Sequence, residues 1–82
     1  MSEQKLVPAV LRAAALLDHV AAHPNRTLSD LARALALPKS SVHALCQTLC
    51  HLSLLREEQG RFLMGGHAAS WAKAQTANLV EL

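Results

Sequence analysis

The chain has 82 residues, which is enough for one small domain with a modest hydrophobic core. Hydrophobic residues make up 51% of it and aromatic residues only 2%, which favours a mostly α-helical fold and excludes an aromatic platform for stacking single-stranded bases. The net charge of +2 is too small to indicate a nucleic-acid partner by itself, so the positions of the charges matter more than their sum.

Neither a membrane segment nor a secretory signal is visible. No apolar run approaches the ~20 residues that a membrane-spanning helix needs, and the polar start of the chain is not a signal peptide. Two cysteines without such a signal indicate free thiols in a reducing compartment, so we expect a cytoplasmic protein without a membrane partner. We also expect no enzyme activity and no cofactor, because no nucleophile–base spacing or phosphate-binding glycine loop stands out.

A first helix is predicted over residues 7–22, after a flexible start at residues 1–6. Pro8 suits the first helical position, and Pro24 ends the helix because it disfavours helical geometry at His23. Helical spacing predicts a buried stripe, flanked by Ala13 and Val20, that consists of Val7, Val10, Ala14, Leu17 and Ala21. The helix has more apolar positions than one face can use, which indicates a subunit contact; the surplus positions are Leu6, Val7, Leu11 and Leu16.

A second, short helix is predicted over residues 27–36. Thr27 is its expected N-cap, with Asp30 at the position that completes a capping box. Its predicted buried stripe is Leu28, Leu31, Ala32 and Leu35. Only Ala36 and Leu37 separate this helix from the next, and two short helices joined so closely must cross steeply. Residues 28–47 therefore indicate a helix-turn-helix arrangement.

The third helix, predicted over residues 38–52 with Pro38 in first place, is the centre of the arrangement. One side is apolar and consists of Val42, Leu45, Cys46, Leu49 and Leu52. The other side is small or polar, without any acidic residue, and carries Ser40, His43, Ala44, Gln47 and His51. Such a face can lie in a DNA major groove. An ordinary amphipathic helix with a solvated polar face remains the alternative at this point.

After the third helix the apolar period changes. Residues 53–56 and 61–64 flank a polar turn that contains Gly60, which predicts a β-hairpin that would form a wing over residues 53–64. Gly65 and Gly66 interrupt the chain, and a last, Ala-rich helix is predicted to the end of the sequence, with Trp71 as a packing anchor. We therefore expect one domain over residues 7–65 and a linker helix over residues 66–82.

Two cysteines and two histidines of the third helix raise a separate possibility. His43, Cys46 and Cys50 lie along one edge, with His51 next, and these residue types bind zinc. A structural zinc site needs four ligands, so we expect no metal site. Cys46 is predicted to pack in the core and Cys50 to lie at its boundary. A thiol- or metal-responsive sensor using these two cysteines stays open as an alternative function.

Specific residues add to the order of the elements. The segments Thr27-Leu28-Ser29-Asp30-Leu31-Ala32, Leu37-Pro38-Lys39-Ser40-Ser41-Val42-His43, Leu55-Arg56 and Phe62-Leu63-Met64-Gly65 resemble the N-terminal winged helix-turn-helix domain of IclR-type transcriptional regulators. The resemblance covers roughly residues 7–71. It implies sequence-specific binding of double-stranded operator DNA by a homodimer, and a small-molecule effector that binds only to a C-terminal domain absent from this chain.

The resemblance and the polar face of the third helix together select the expected contact residues. Those for DNA are Thr27, Lys39, Ser40, Ser41, His43, Ala44, Gln47, Arg56 and Arg61. Surplus apolar surface at the two ends of the chain selects those for the dimer interface, which are Val7, Leu11, Trp71 and Leu79.

Four positions depart from the family pattern: Ala36 and Ser53 replace glycines, and Ala44 and Leu63 replace arginines. Two fewer arginines weaken phosphate contact, so a protein–protein module that keeps the fold without binding DNA is the other alternative.

Overall fold

Four helices and three short strands follow one another along residues 5–80. The computed structural model describes the backbone of residues 5–80 and the side chains of residues 5–75. In chain order the elements are α1 (Pro8–Ala22), β1 (Arg26–Thr27), α2 (Leu28–Leu35), α3 (Lys39–His51), β2 (Leu55–Glu58), β3 (Arg61–Met64) and α4 (Gly66–Val80). The strands form an antiparallel sheet in the order β1-β3-β2. The predicted winged helix-turn-helix fold is therefore confirmed, while β1 was not predicted.

Two predicted segments lie partly outside the described residues. The expected flexible start covers residues 1–6, of which residues 1–4 are not described. The last helix was predicted to continue to the end of the chain, and its final two residues, 81 and 82, are likewise not described.

The first helix, α1, has two apolar faces, and it buries the one that spacing did not select. Leu16 and Val20 are fully buried, with Ala13 and Leu17 packed against the core. The predicted stripe is wrong at four positions that are exposed: Val7, Val10, Ala14 and Ala21. The prediction that Leu16 is surplus apolar surface is also wrong. Both stripes satisfy helical periodicity in this Ala-rich helix, so only packing against the other elements decides between them.

The predicted capping box at the start of α2 is present. The backbone N–H of Asp30 donates to Oγ1 of Thr27 over 3.2 Å, and the backbone N–H of Thr27 donates to Oδ2 of Asp30 over 3.1 Å. At the other end, Ala36 takes the left-handed conformation with φ of 56°. The turn into α3 thus has the geometry for which glycine is usually chosen, at a cost of roughly 1–2 kcal/mol for a residue with a Cβ.

The helix α3 begins one residue later than predicted, since Pro38 is its extended N-cap rather than its first residue. The core includes Val42, Cys46 and Leu49, as predicted. The prediction for Leu52 is wrong, because this side chain is 47% exposed. The helix ends at His51, so the chain no longer follows helical spacing at Leu52.

The strands β2 and β3 form the wing. Gln59 and Gly60 join them with φ of 52° and 76°, which is the pattern of a two-residue type I′ turn. Leu55 and Phe62 face inward and are buried in the core. The short β1 pairs with β3 and brings Thr27 opposite Arg61. This pairing attaches the start of α2 to the base of the wing.

Three residues tie α4 to the end of α3. Ser53 is left-handed with φ of 60°, and its carbonyl accepts from the backbone N–H of His67 over 2.9 Å. The ring Nδ1 of His67 donates to the carbonyl of Leu52 over 3.0 Å. A Cβ at Gly65 would overlap the Ser53 carbonyl, so glycine permits this close approach.

Candidate nucleic-acid interface

The polar face of α3 lies open to solvent. It comprises the exposed side chains of Lys39, Ser40, Ser41, His43, Ala44, Gln47, Thr48 and His51. No acidic residue occurs within α3, and Lys39 has no ion pair among the described residues. The first N–H groups of a helix lack partners within it, so this end of α3 also attracts anions. The face therefore offers hydrogen-bonding groups and positive charge, without a carboxylate of its own.

Each edge of this face borders a hollow. On one edge a hollow of about 180 Å³ lies between α3 and α1, lined by Ala9, Arg12, Ser41, Ala44, Leu45 and Thr48. On the other edge a cleft of about 260 Å³ separates α3 from the wing, lined by His43, Cys46, Gln47, Cys50, Glu57 and Phe62. The first hollow borders a guanidinium and the second a carboxylate. The two edges thus differ in charge.

Arg12 and Glu57 are the site residues that sequence reasoning missed. Arg12 is exposed on α1 and has no ion pair among the described residues. Glu57 is on the same side of β2 as the buried Leu55, two residues away, and therefore on the helix-facing side of the wing. The period-two alternation of β2 could have placed Glu57, whereas Arg12 required the packing of α1 against α3.

The two wing arginines have partners within the domain. Arg56 Nε lies 3.0 Å from Oε2 of Glu58, which occupies the same face of β2. Arg61 Nη1 donates to the carbonyl of Asn25 over 2.9 Å. Both side chains stay exposed, so each can still reach an anion. Because Arg61 lies opposite Thr27 in the sheet, its guanidinium and the Thr27 side chain belong to one region of the surface.

Thr27 and Asp30 hold the start of α2 in place. Hydrogen bonds from the backbone and side chain of Thr27, the former being the larger effect, lower the pKa of Asp30 below its ordinary value. The carboxylate is therefore ionised at neutral pH. Because the Thr27 oxygen accepts in this capping box, its hydroxyl hydrogen is left to donate to a phosphate oxygen.

The two cysteines are free thiols. Burial, with smaller effects from Cys50 and Glu57, raises the pKa of Cys46 to about 12. Burial and then Glu57 also raise the pKa of Cys50. Both thiols therefore stay protonated and weakly nucleophilic at neutral pH. Within the described residues, no three side chains of His, Cys, Asp or Glu are grouped as metal ligands.

Of the residues expected at a dimer interface, three have described side chains. The exposed fractions of Val7, Leu11 and Trp71 are 58%, 53% and 55%. The side chain of Leu79 lies outside the described part of the chain. Trp71 contacts the ring of His67, with 4.7 Å between ring centroids, and so lies near the junction of α3 with α4. The large apolar residues of α1 are thus available to another molecule.

Comparison with known proteins identifies the family to which this fold and its exposed helix face belong. The model of the IclR helix-turn-helix domain matches residues 9–59, which hold the predicted contacts of α2 and α3. The chain belongs to the IclR family. This IclR-family chain is consequently a DNA-binding helix-turn-helix domain of the kind that transcription regulators carry. The comparison with curated proteins gives no match.

Solved structures agree with the family. The repressor BlcR of Agobacterium tumefaciens is 41% identical, with a TM-score of 0.75 over 87% of this chain and 29% of that one. An IclR-family regulator from Rhodococcus is 31% identical, with a TM-score of 0.74 over 90% and 32%. A third, from Brucella abortus, shares the fold at 24% identity, with a TM-score of 0.81 over 96% and 32%. The IclR-family chain spans about a third of the length of these regulators.

Two findings bear on expectations from the sequence. IclR helix-turn-helix domains belong to transcription regulators. Of the helices in residues 5–80, none is long and apolar enough to cross a membrane.

Proposed function

We propose that this chain places α3 in the major groove of a palindromic operator, as one half of a homodimeric regulator in the cytoplasm. The observation that carries the proposal is the exposed, acid-free face of α3 beside a wing, with Lys39 at its first position. In this docking mode the N-terminal part of a recognition helix contacts base edges, while the flanking elements contact the backbone. Residues 7–65 would form the DNA-binding unit.

The contacts divide by the reach and chemistry of the side chains. Lys39, Ser40 and Ser41 lie in the first turn of α3 and would contact phosphates, which hold the helix in register. His43 and Gln47 are exposed further along and would meet base edges. A Gln amide can pair with adenine through two hydrogen bonds.

The remaining predicted contacts would support this docking. Ala44 would pack its methyl group on a thymine methyl. Thr27, Arg56 and Arg61 would contact the sugar–phosphate backbone beside the groove. The Arg61–Asn25 hydrogen bond holds its guanidinium at the base of the wing, and this supports the assignment.

The exposed apolar side of α1 and the small net charge both favour a dimer. The exposed apolar face of α1 includes Val10 and Leu11 and is continued by Val7 at its N-cap, while the opposite face of the helix already fills the core. A single domain with a net charge of +2 offers few phosphate contacts, so one copy should bind DNA weakly. We assign the free face of α1 to a second copy of this chain, with Trp71 and Leu79 of α4 extending the contact.

The helix α4 would then link this unit to the rest of the regulator. The family resemblance assigns the small-molecule effector to a C-terminal domain. Residues 66–82 would form the linker towards it, and His67 would connect that linker to the end of α3.

Selection of bound sequences from a random duplex library tests the proposal. The chain should enrich a palindrome with half-sites one helical turn, ~34–36 Å, apart. On that duplex, Lys39→Ala should reduce the slope of log K against log salt by about 0.9 for each copy. Lys73→Ala, which removes the same charge from the exposed side of α4, is the matched control and should leave the slope nearly unchanged.

Three outcomes would count against the proposal. Failure to enrich any sequence would favour the protein–protein module. Equal slopes for the two lysine variants would mean that α3 does not lie in the groove. A fragment that stays monomeric by ultracentrifugation, even when bound to its palindrome, would reject the dimer.

A further inference from the structure

The cleft between α3 and the wing contains a carboxylate that the proposed contacts leave unused. Glu57 lines this cleft together with His43 and Gln47, the two residues assigned to base edges. Its neighbour in the register is Phe62, which is buried against the core. Sheet pairing and the packing of Phe62 therefore fix the backbone at Glu57. This gives its carboxylate a defined place beside His43 and Gln47.

Glu57 differs from the other glutamate of β2 in its charge environment. Glu58 lies on the opposite face of the strand and forms an ion pair with Arg56 over 3.0 Å. Glu57 has no ion pair among the described residues. Its negative charge contributes, after burial, to raising the pKa of the Cys50 thiol on α3. The carboxylate therefore lies close enough to α3 for its charge to reach a thiol on that helix, and no cation among the described residues forms an ion pair with it.

An ionised carboxylate only accepts hydrogen bonds, and this limits what it can contact in DNA. It repels phosphate oxygens and the acceptor atoms of guanine and thymine in the major groove. Cytosine presents the N4 amino donor there, and glutamate accepting from this group is an established pairing. Adenine also presents an amino group, but its N7 acceptor lies beside it and disfavours a carboxylate.

We propose that Glu57 determines specificity by accepting a hydrogen bond from a cytosine amino group at the wing-side edge of α3. The inference rests on the proposed function, because it requires α3 to occupy the major groove. In this arrangement Gln47 and Glu57 read neighbouring base pairs from the two walls of one cleft. The carboxylate also lowers affinity for sequences that lack a donor at that position, since it then faces acceptors and phosphates.

The test compares three variants with the wild-type chain by selection from the same random duplex library. Glu57→Gln removes the charge at nearly constant shape. Glu58→Gln removes the same charge from the next residue, and it frees Arg56. Glu57→Asp keeps the charge but shortens the reach. Binding to the wild-type winning duplex and to its single C·G to T·A variants is then measured by fluorescence anisotropy.

Glu57→Gln should lose the preference for cytosine over thymine at one position of each half-site by about tenfold. Its affinity for unrelated duplexes should rise. Glu58→Gln should raise affinity for all sequences while it leaves the base preference unchanged. Glu57→Asp should show a weakened preference for the same base.

Identical sequence preferences for wild type and Glu57→Gln would overturn this inference and leave the proposed function standing. Loss of the preference in Glu58→Gln to the same extent would also overturn it, because the effect would then be one of general charge. Failure of the wild-type chain to select any duplex would overturn both proposals.

Discussion

Two adjacent glycines should respond to the same substitution with opposite signs. A Cβ at Gly65 would overlap the Ser53 carbonyl oxygen and lie 2.8 Å from its carbon and 3.0 Å from the carbonyl oxygen of Leu55. All three atoms belong to the backbone, so no side-chain rotation relieves the contact. A Cβ at Gly66 would meet nothing within 4 Å.

The expected cost of Gly65→Ala follows from what must move. Overpacking of this kind costs about 1–3 kcal/mol. A shift at Gly65 also strains the hydrogen bond that its backbone N–H donates to the Leu54 carbonyl over 2.9 Å. Such a hydrogen bond contributes about 1 kcal/mol to stability. We therefore expect a loss of about 2–4 kcal/mol. Gly66 opens α4, where alanine is the better helix former, so Gly66→Ala should stabilise by up to about 1 kcal/mol.

Thermal and urea unfolding, followed by far-ultraviolet circular dichroism, measures both variants. For a domain of this size a loss of 2 kcal/mol lowers Tm by about 8–16 °C. Gly66→Ala serves as the control, because it adds the same methyl group one residue away. A Gly65→Ala variant that unfolds within about 0.5 kcal/mol of wild type would refute the close approach of α4 to the end of α3.

Further predictions concern the capping box of α2, the two thiols, and Arg12 beside the hollow between α1 and α3. Thr27→Ala should destabilise by about 1 kcal/mol in urea unfolding through loss of the capping box. Because the pKa of Asp30 is lowered on folding, its stabilisation is complete above the ordinary pKa of 3.8 and is lost as the pH falls through the lowered value. Asp30→Asn should therefore make Tm fall less steeply as the pH is lowered through that range. A variant whose Tm depends on pH there as it does in wild type would contradict this. Cys46→Ser should destabilise more than Cys50→Ser in the same unfolding assay, since only Cys46 is fully buried, and equal losses would disprove the packing described. Arg12→Ala should weaken binding to every duplex alike in anisotropy titrations, whereas a change in base preference would assign it to base reading instead.

Elements marked by a local sequence pattern could be predicted, whereas features that depend on contacts distant in the chain could not. The start of α2 was predictable because a capping box is local, and Thr27 and Asp30 are only three residues apart. The buried face of α1 was not, since Leu16 and Val10 both satisfy helical spacing and only tertiary packing separates them. The strand β1 has two residues, too few for any periodic pattern, and it exists because β3 supplies the pairing partner.

The same distinction between local patterns and distant contacts applies to the candidate site. The exposed face of α3 follows from the spacing of its apolar residues, so the exposure of Ser40, His43 and Gln47 was predictable from the sequence alone. The residues at its two edges come from elements distant in the chain. Arg12 reaches one edge from α1 and Glu57 reaches the other from β2. The alternation of β2 gives the face on which Glu57 lies, but only tertiary packing brings either residue beside α3.

The two left-handed residues that flank α3 bear on how this domain can be adapted. Ala36 precedes the helix with φ of 56°, and Ser53 follows it with φ of 60°. Each holds roughly 1–2 kcal/mol of backbone strain that a glycine would release, less the 0.5–1 kcal/mol that glycine costs through the unfolded chain. Neither residue is among the proposed DNA contacts. Thermal tolerance could therefore be raised or lowered at these two turns while the sequence that the protein reads stays the same.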